Sequence, residues 1–170
     1  AEPSLKITYV QPKDFTGLLR YVRNILVVTI DPTAYTKVSV GYENNVWARG
    51  QVVVSLKAPN TESIVEYSKT HEKALVNFFV KVEMNRAIEQ LQKEYSMVVM
   101  DNLKSDLNVM LNAPANFTYY KDTTDFFWSS NNANTGRMDL IVYTFPYTDP
   151  NTFTEEYLVA KRDSVLKANL

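Results

Sequence analysis

The sequence predicts an α+β fold, in which a largely antiparallel sheet carries a long helix and a C-terminal helix on one face. Short runs of β-branched and aromatic residues alternate with polar residues, as half-buried strands do. One stretch, from Asn60 to about Lys104, contains neither Pro nor Gly, so nothing in it interrupts a helix. The resulting order is β-β-β-α-β-β-α. At 170 residues the chain is long enough to bury one core, and we expect a single α+β domain over residues 1–170.

Three strands are predicted ahead of the long helix. Asn24 to Ile30 is β-branched and apolar on both faces, which is typical of a central strand. Lys37 to Tyr42 alternates between polar and apolar residues and therefore suits a half-exposed strand. Gln51 to Lys57 also alternates, and it forms the third predicted strand.

The apolar stripe of the long helix changes sides half-way along. The first half has one stripe at helical spacing: Ile64, Ser68, His71, Leu75, Phe79 and Val82. The second half has another: Met84, Ile88, Leu91, Tyr95 and Val98. At about 100° per residue, the two stripes point roughly 180° apart. We expect the first stripe to pack on the sheet. The second should be covered by a partner protein, another copy of the chain, a further C-terminal portion, or the chain folding back at a break near Asn85.

The length of this helix is itself informative. A straight helix over the whole stretch would be roughly 67 Å long, whereas a compact domain of this size is only about 40 Å across. The helix is therefore expected either to break or to project from its domain.

The last part of the chain again indicates strands and then a helix. Phe117 to Tyr120 and Phe126 to Ser129 are strand-like and rich in aromatic residues. Met138 to Phe145 is apolar on both faces and is predicted as a second central strand. Thr152-x-x-Glu155 has the pattern of a capping box, which predicts a final helix running to about Lys167.

The composition excludes several classes of function. Eighteen Lys and Arg against nineteen Asp and Glu give a net charge of −1, too little positive charge for nucleic-acid binding. The chain has no cysteine, one histidine and four scattered glycines, so we predict no metal site, no catalytic triad and no phosphate-binding loop. No catalytic residue and no cofactor is therefore predicted. The longest apolar run lies far short of the ~20 residues of a membrane span.

Aromatic residues beside charged ones are the first candidates for a binding site. Trp47 with Arg49, and Trp128 with the two phenylalanines before it, could form platforms for a ligand. The alternative is that these strand aromatics belong to the core.

Arg162 is the remaining candidate for a binding residue. Its neighbours at i−4, i+3 and i+4 are all apolar: Leu158, Val165 and Leu166. A charge on a packed helix face must be paired, so we expect Arg162 to be mostly buried against a carboxylate. That carboxylate is either one from the sheet, such as Asp31 or Asp139, or one from a ligand.

Four stretches carry a resemblance to a known family: Arg23 to Asp31, Asn45 to Gln51, Phe78 to Arg86, and Tyr157 to Leu166. Together they resemble an uncharacterised domain of unknown function found in lipoproteins of Bacteroidetes-type Gram-negative bacteria. The resemblance covers most of the chain from about Phe15 to Asn169. It implies an extracytoplasmic protein, periplasmic or lipid-anchored at the outer membrane, with the lipidated cysteine upstream of Ala1. It also implies that this domain is the N-terminal part of a longer protein.

Two functions follow from these observations. The first is a non-enzymatic, envelope-associated binding or protein-interaction module, which contacts a protein partner or itself through Met84, Ile88, Leu91 and Tyr95. In this case the membrane is reached only through the lipid anchor. The alternative is a carbohydrate-active hydrolase that uses paired carboxylates. A pocket with two carboxylates about 5–10 Å apart would favour the hydrolase, and a flat apolar patch would favour the interaction module.

Overall fold

A computed structural model of the chain describes residues 5–169. In this range the elements are β1 (Asn24–Ile30), β2 (Ser39–Asn44), β3 (Val52–Ala58), α1 (Thr61–Lys93), α2 (Met97–Leu107), β4 (Tyr119–Thr123), β5 (Phe126–Ser130), β6 (Asp139–Tyr143) and α3 (Glu155–Asn169). With 43% of residues in helices and 21% in strands, the predicted α+β class is confirmed. The described strands are divided between two three-stranded sheets, which the sequence did not indicate.

Contacts between residues divide the chain into two compact units, residues 1–89 and residues 90–170. Each unit contains one of the sheets and one cluster of buried apolar side chains. The single domain expected over residues 1–170 stays a prediction.

The sheet of the first unit has the strand order β1-β3-β2. β1 runs parallel to β3, and β2 runs antiparallel to it. The prediction that β1 is central was wrong, because β3 lies in the middle and β1 at an edge. Phe79 of α1 packs with Val52 and Val54 of β3, and Val82 contacts this cluster. The C-terminal part of the first helical stripe therefore packs on the sheet, as expected.

The sheet of the second unit has the order β4-β5-β6 and is antiparallel throughout. β6 was also predicted to be central, and it too lies at an edge. Val99 and Leu103 are one helical turn apart on α2 and fully buried, and they pack against Phe117 and against Phe127 of β5. This cluster is the core of the second unit.

The long helical stretch breaks, which was one of the two expected outcomes. α1 ends at Lys93 and α2 begins at Met97, so the break lies well beyond Asn85. Ser96 caps the new helix, because its hydroxyl accepts a hydrogen bond from the Val99 amide at 3.3 Å. Met84, Ile88 and Leu91 lie on α1, whereas Val98 lies on α2, so the second stripe is not carried by one continuous helix.

The final helix, α3, begins two residues later than its sequence pattern indicated. The capping box is formed by Asp149 and Thr152 around a 3₁₀ turn, Pro150–Phe153. Thr152 is buried in this turn, so the predicted box of Thr152 with Glu155 was wrong. The amide of Tyr157 instead donates to the Thr154 hydroxyl at 3.4 Å, at the start of α3.

Candidate functional site

An indole, a guanidinium and a carboxylate meet on one face of the second sheet. The register of β5 and β6 pairs Trp128 with Ile141 and Ser130 with Asp139, which places Trp128 and Asp139 on the same face. Trp128 Nε1 donates to Asp139 Oδ1 at 3.0 Å. Arg137 Nη2 donates to the same oxygen at 3.0 Å, and Arg137 Nε donates to Oδ2 at 3.1 Å. The guanidinium carbon lies 6.0 Å from the centre of the indole ring.

The electrostatics of this cluster favour an ionised, paired carboxylate. Hydrogen bonds from Arg137 lower the pKa of Asp139, and those from Ser130 and Trp128 lower it further. Burial acts in the opposite direction on the same pKa. A carboxylate held ionised by a bidentate arginine is a poor proton donor, so this cluster positions side chains rather than moving protons.

An open groove of about 460 Å³ lies beside the cluster in the second unit. Its apolar walls come from Leu111, Pro114, Phe117, Met138 and Leu140, and Asp139 also lines it. Such a lining suits contact with an apolar side chain more than catalysis. Sequence reasoning missed this groove, because it forms between an extended segment and a sheet edge that lie far apart in the sequence.

Trp47 and Arg49 lie in the turn between β2 and β3 of the first unit. The Trp47 ring packs edge-on against Phe15, with ring centres 5.6 Å apart. The residue remains 38% exposed, and Arg49 is exposed. Trp47 is therefore partly a packing residue, as the alternative interpretation held.

The side chain of Gln51 organises this same turn, and sequence reasoning did not identify it. Gln51 is 1% exposed. Its amide nitrogen donates to the carbonyls of Arg20 and Val22, both at 2.7 Å, and its oxygen accepts from the Trp47 amide at 3.1 Å. A buried glutamine with three such bonds is a structural anchor.

The prediction that Arg162 is buried was wrong. Its side chain is 55% exposed, and its guanidinium pairs with the next residue, Asp163, at 2.7 Å. The expected partners, Asp31 and Asp139, make other contacts. The three apolar neighbours do not bury the arginine, because its long side chain reaches past them into solvent.

A pair of carboxyl groups in the second unit was also missed. Burial raises the pKa of Asp122 in β4, and the nearby carboxyl of Asp106 in α2 raises it further. The hydroxyl of Ser105 lowers the pKa of Asp106, and a hydrogen bond from Asp122 does so too. The two groups therefore titrate together as one pair. No sequence pattern links them, since α2 and β4 come together only in the folded unit.

The described residues were compared with the side-chain groups that bind metal ions. Within residues 5–169, no group of three or more His, Asp or Glu side chains is arranged to hold a metal ion. The absence of a metal or cofactor remains a prediction.

Comparison with known proteins gives two matches to family models, and the first covers residues 1–92, more than half of the chain. This model is described as a domain of unknown function, DUF8532. The chain belongs to this family. A second model, the domain of unknown function DUF4837, matches residues 96–170. The DUF8532 match ends one residue before the end of α1, and the DUF4837 match begins at the cap of α2.

The matches agree with the resemblance to an uncharacterised family, and neither family model carries an assigned activity. No curated protein and no solved structure matches the chain. Among the described residues, none of the helices combines the length and apolar character that crossing a membrane would require.

Proposed function

We propose that this DUF8532 chain is a non-enzymatic binding or protein-interaction module of the bacterial cell envelope. The envelope location rests on the resemblance to lipoproteins of Bacteroidetes-type bacteria. In this proposal the chain is periplasmic or lipid-anchored at the outer membrane, and it contacts the membrane only through an anchor outside residues 1–170.

The observation that carries the proposal is the exposed apolar surface of α1. Met84 and Ile88 lie one helical turn apart and are 58% and 50% exposed. In the second unit, Leu91 and Tyr95 are half-buried. The proposed contact surface for a protein partner or a second copy is therefore centred on Met84 and Ile88, with Leu91 and Tyr95 contributing less.

Two charged substitutions test this surface directly. The double variant Met84→Lys and Ile88→Lys should abolish association through α1 without unfolding the chain, because both side chains are already largely exposed. A matched control is Glu89→Lys, which adds a lysine to an exposed position of the same helix.

Sedimentation velocity measures self-association, and a photo-cross-linking residue at position 88 reports a protein partner in envelope fractions. A cross-linked product that appears from position 88 but not from position 89 would support the proposal. If the double variant sediments like the unchanged chain and position 88 gives no product, the α1 surface is not a contact surface.

A carbohydrate-active hydrolase is the second candidate, and the Asp106–Asp122 pair is the observation that favours it. One carboxyl has a raised pKa and the other a lowered one, which is the arrangement of an acid with an ionised partner. However, glycosidase carboxylates stand about 5–10 Å apart to admit a sugar, whereas these two share a hydrogen bond. Hydrolysis of fluorogenic glycosides that is lost in Asp106→Asn would establish this alternative.

A further inference from the structure

β1 is an edge strand with the composition of a central strand. Its seven residues, Asn24–Ile30, contain no charge, no Gly and no Pro. The other sheet edges carry charged residues: Glu43 in β2, Lys121 and Asp122 in β4, and Asp139 in β6. Edge strands in soluble proteins are normally protected from pairing by charged residues, Pro or bulges. β1 has none of these protections.

The backbone groups on the open side of β1 can be assigned from the bonds to β3. The carbonyl of Arg23 accepts from the Val52 amide at 2.9 Å, and the Asp31 amide donates to the Ala58 carbonyl at 3.0 Å. The backbone N–H and C=O groups of the odd-numbered residues of β1 therefore bond to β3. Those of the even-numbered residues point away from the sheet.

The outward-pointing residues are Asn24, Leu26, Val28 and Ile30. Among the described residues, no segment pairs with this edge. The side chains of Leu26, Val28 and Ile30 are also open to solvent, with 45%, 47% and 46% exposure. The edge thus combines unused hydrogen-bonding groups with exposed apolar side chains.

We propose that a second copy of this chain pairs with the β1 edge in antiparallel orientation, about a twofold axis at Val27. In this register the outward groups meet as hydrogen-bonded pairs, Leu26 with the partner's Val28 and Asn24 with the partner's Ile30. The two sheets join into one, and β1 becomes the interior strand that its composition predicts.

Charge complementarity selects a second copy and sets the orientation. β1 is flanked by Arg23 at one end and Asp31 at the other. The antiparallel register places Arg23 opposite the partner's Asp31, and the twofold axis repeats this pair at the other end. Parallel pairing would instead place like charges together.

Both charged groups can reach these pairs. The side chain of Arg23 is 71% exposed, and its Nη1 forms an ion pair with Glu83 at 3.6 Å, which is longer than a hydrogen bond. The bonds that hold Asp31 in its turn all go to Oδ1, from Thr33 and Ala34, so Oδ2 can face the partner's arginine.

The first experiment separates the β1 edge from the other edge of the same sheet. Val28 and Val40 are both exposed valines whose amides point away from β3, so a proline at either position removes no bond within the sheet. In sedimentation velocity over a concentration series, Val28→Pro should remain monomeric. Val40→Pro, the matched control, should dimerise like the unchanged chain.

A charge exchange tests the register. Arg23→Glu and Asp31→Lys should each raise the dissociation constant on the order of tenfold, since two attractive pairs become repulsive. An equimolar mixture of the two variants should form a heterodimer, because each glutamate then meets a lysine and each aspartate an arginine. Arg20→Glu, outside β1, is the control and should leave the dissociation constant unchanged.

Hydrogen exchange tests the same pairing in the unchanged chain, so this experiment does not depend on a variant that must fold. The amides of Leu26, Val28 and Ile30 should gain protection as the concentration rises, while the amides of Val40 and Tyr42 should not. If the amides of Leu26, Val28 and Ile30 exchange freely at all concentrations, or if the chain is a monomer throughout, the proposal is overturned. Self-association that is lost in the Met84 and Ile88 double variant but kept in Val28→Pro would also overturn it, and would instead support the α1 surface.

Discussion

Gln51 is the polar residue on which the turn of the first unit depends most. Replacing it with Ala leaves two part-buried carbonyls and one part-buried amide without their partner. Because three hydrogen bonds are lost and their partners are only partly open to water, we expect Gln51→Ala to lower the free energy of unfolding by about 1–3 kcal/mol. Urea unfolding followed by circular dichroism measures this loss.

The control for Gln51 is Gln92→Ala, at an exposed position of α1. This change should stay within about 0.5 kcal/mol of the unchanged chain. An equal loss in the two variants would show that the three hydrogen bonds of Gln51 contribute nothing specific.

The Asp106–Asp122 pair makes stability depend on pH. A carboxyl whose pKa is raised by folding contributes stability below its unfolded pKa of about 3.9, and this contribution is lost as the pH rises through the folded pKa. Asp106, whose pKa is lowered, acts in the opposite sense, and its contribution is lost only as the pH falls. We therefore expect Asp122→Asn to stabilise the chain at pH 7 but not at pH 3, because the amide cannot ionise and can still donate to Asp106.

Urea midpoints at the two pH values check this expectation. Asp101→Asn is the matched control, since Asp101 is exposed on the same helix as Asp106. A variant that is less stable at pH 7 than the unchanged chain would mean that the Asp122 carboxylate is needed in its ionised form.

At the level of elements, Ser96 decides where the long helix breaks. Its hydroxyl accepts from the Val99 amide and donates to the Phe117 carbonyl, and its own amide donates to the Ala113 carbonyl at 2.9 Å. We expect Ser96→Ala to cost about 1–2 kcal/mol, because a helix cap and a buried acceptor lose their partner together.

Ser105→Ala is the comparison for Ser96, since Ser105 is exposed within the same helix. Thermal unfolding of both variants measures the difference. If the two serines cost the same, the cap is not what ends α1 and begins α2.

The elements show which features a sequence can reveal. Alternation and β-branching located β1, β2 and β3 to within a few residues, because these patterns report local burial. The position of a strand within its sheet was not predictable, because the pairing of strands is decided by segments that are distant in the sequence. β1 and β6 have the composition of central strands but lie at the edges of their sheets. The second helical stripe was extrapolated along one continuous helix, whereas α1 ends at Lys93 and a new helix begins after the cap at Ser96.

The candidate binding residues show the same limit. The local pattern of aromatic and charged residues identified Trp128, but its partners Arg137 and Asp139 follow from the register of β5 and β6. Arg162 was misjudged because helical spacing gives the direction of a side chain, whereas burial depends on what lies opposite. No sequence pattern predicts the burial of Gln51, since a polar residue after a turn is normally expected to be exposed.

At the level of the whole molecule, two boundaries nearly coincide. The compact units divide at residues 89 and 90, and the two family models divide between residues 92 and 96. α1, which ends at Lys93, therefore contains residues of both units. A helix that continues across a boundary couples the unfolding of the segments on either side, because its hydrogen-bond ladder is cooperative.

This coupling leads us to expect that residues 1–170 unfold as a single domain. Calorimetry should then show one transition whose calorimetric and van't Hoff enthalpies agree, at about 120 kcal/mol near 60 °C for a chain of this length. Gln90→Pro should interrupt α1 at the boundary and separate two transitions, because proline removes a hydrogen bond inside the helix. Gln90→Ala keeps the helix and should leave one transition. Two transitions in the unchanged chain, each with about half the total enthalpy, would show instead that the segments matched by DUF8532 and DUF4837 fold as separate domains.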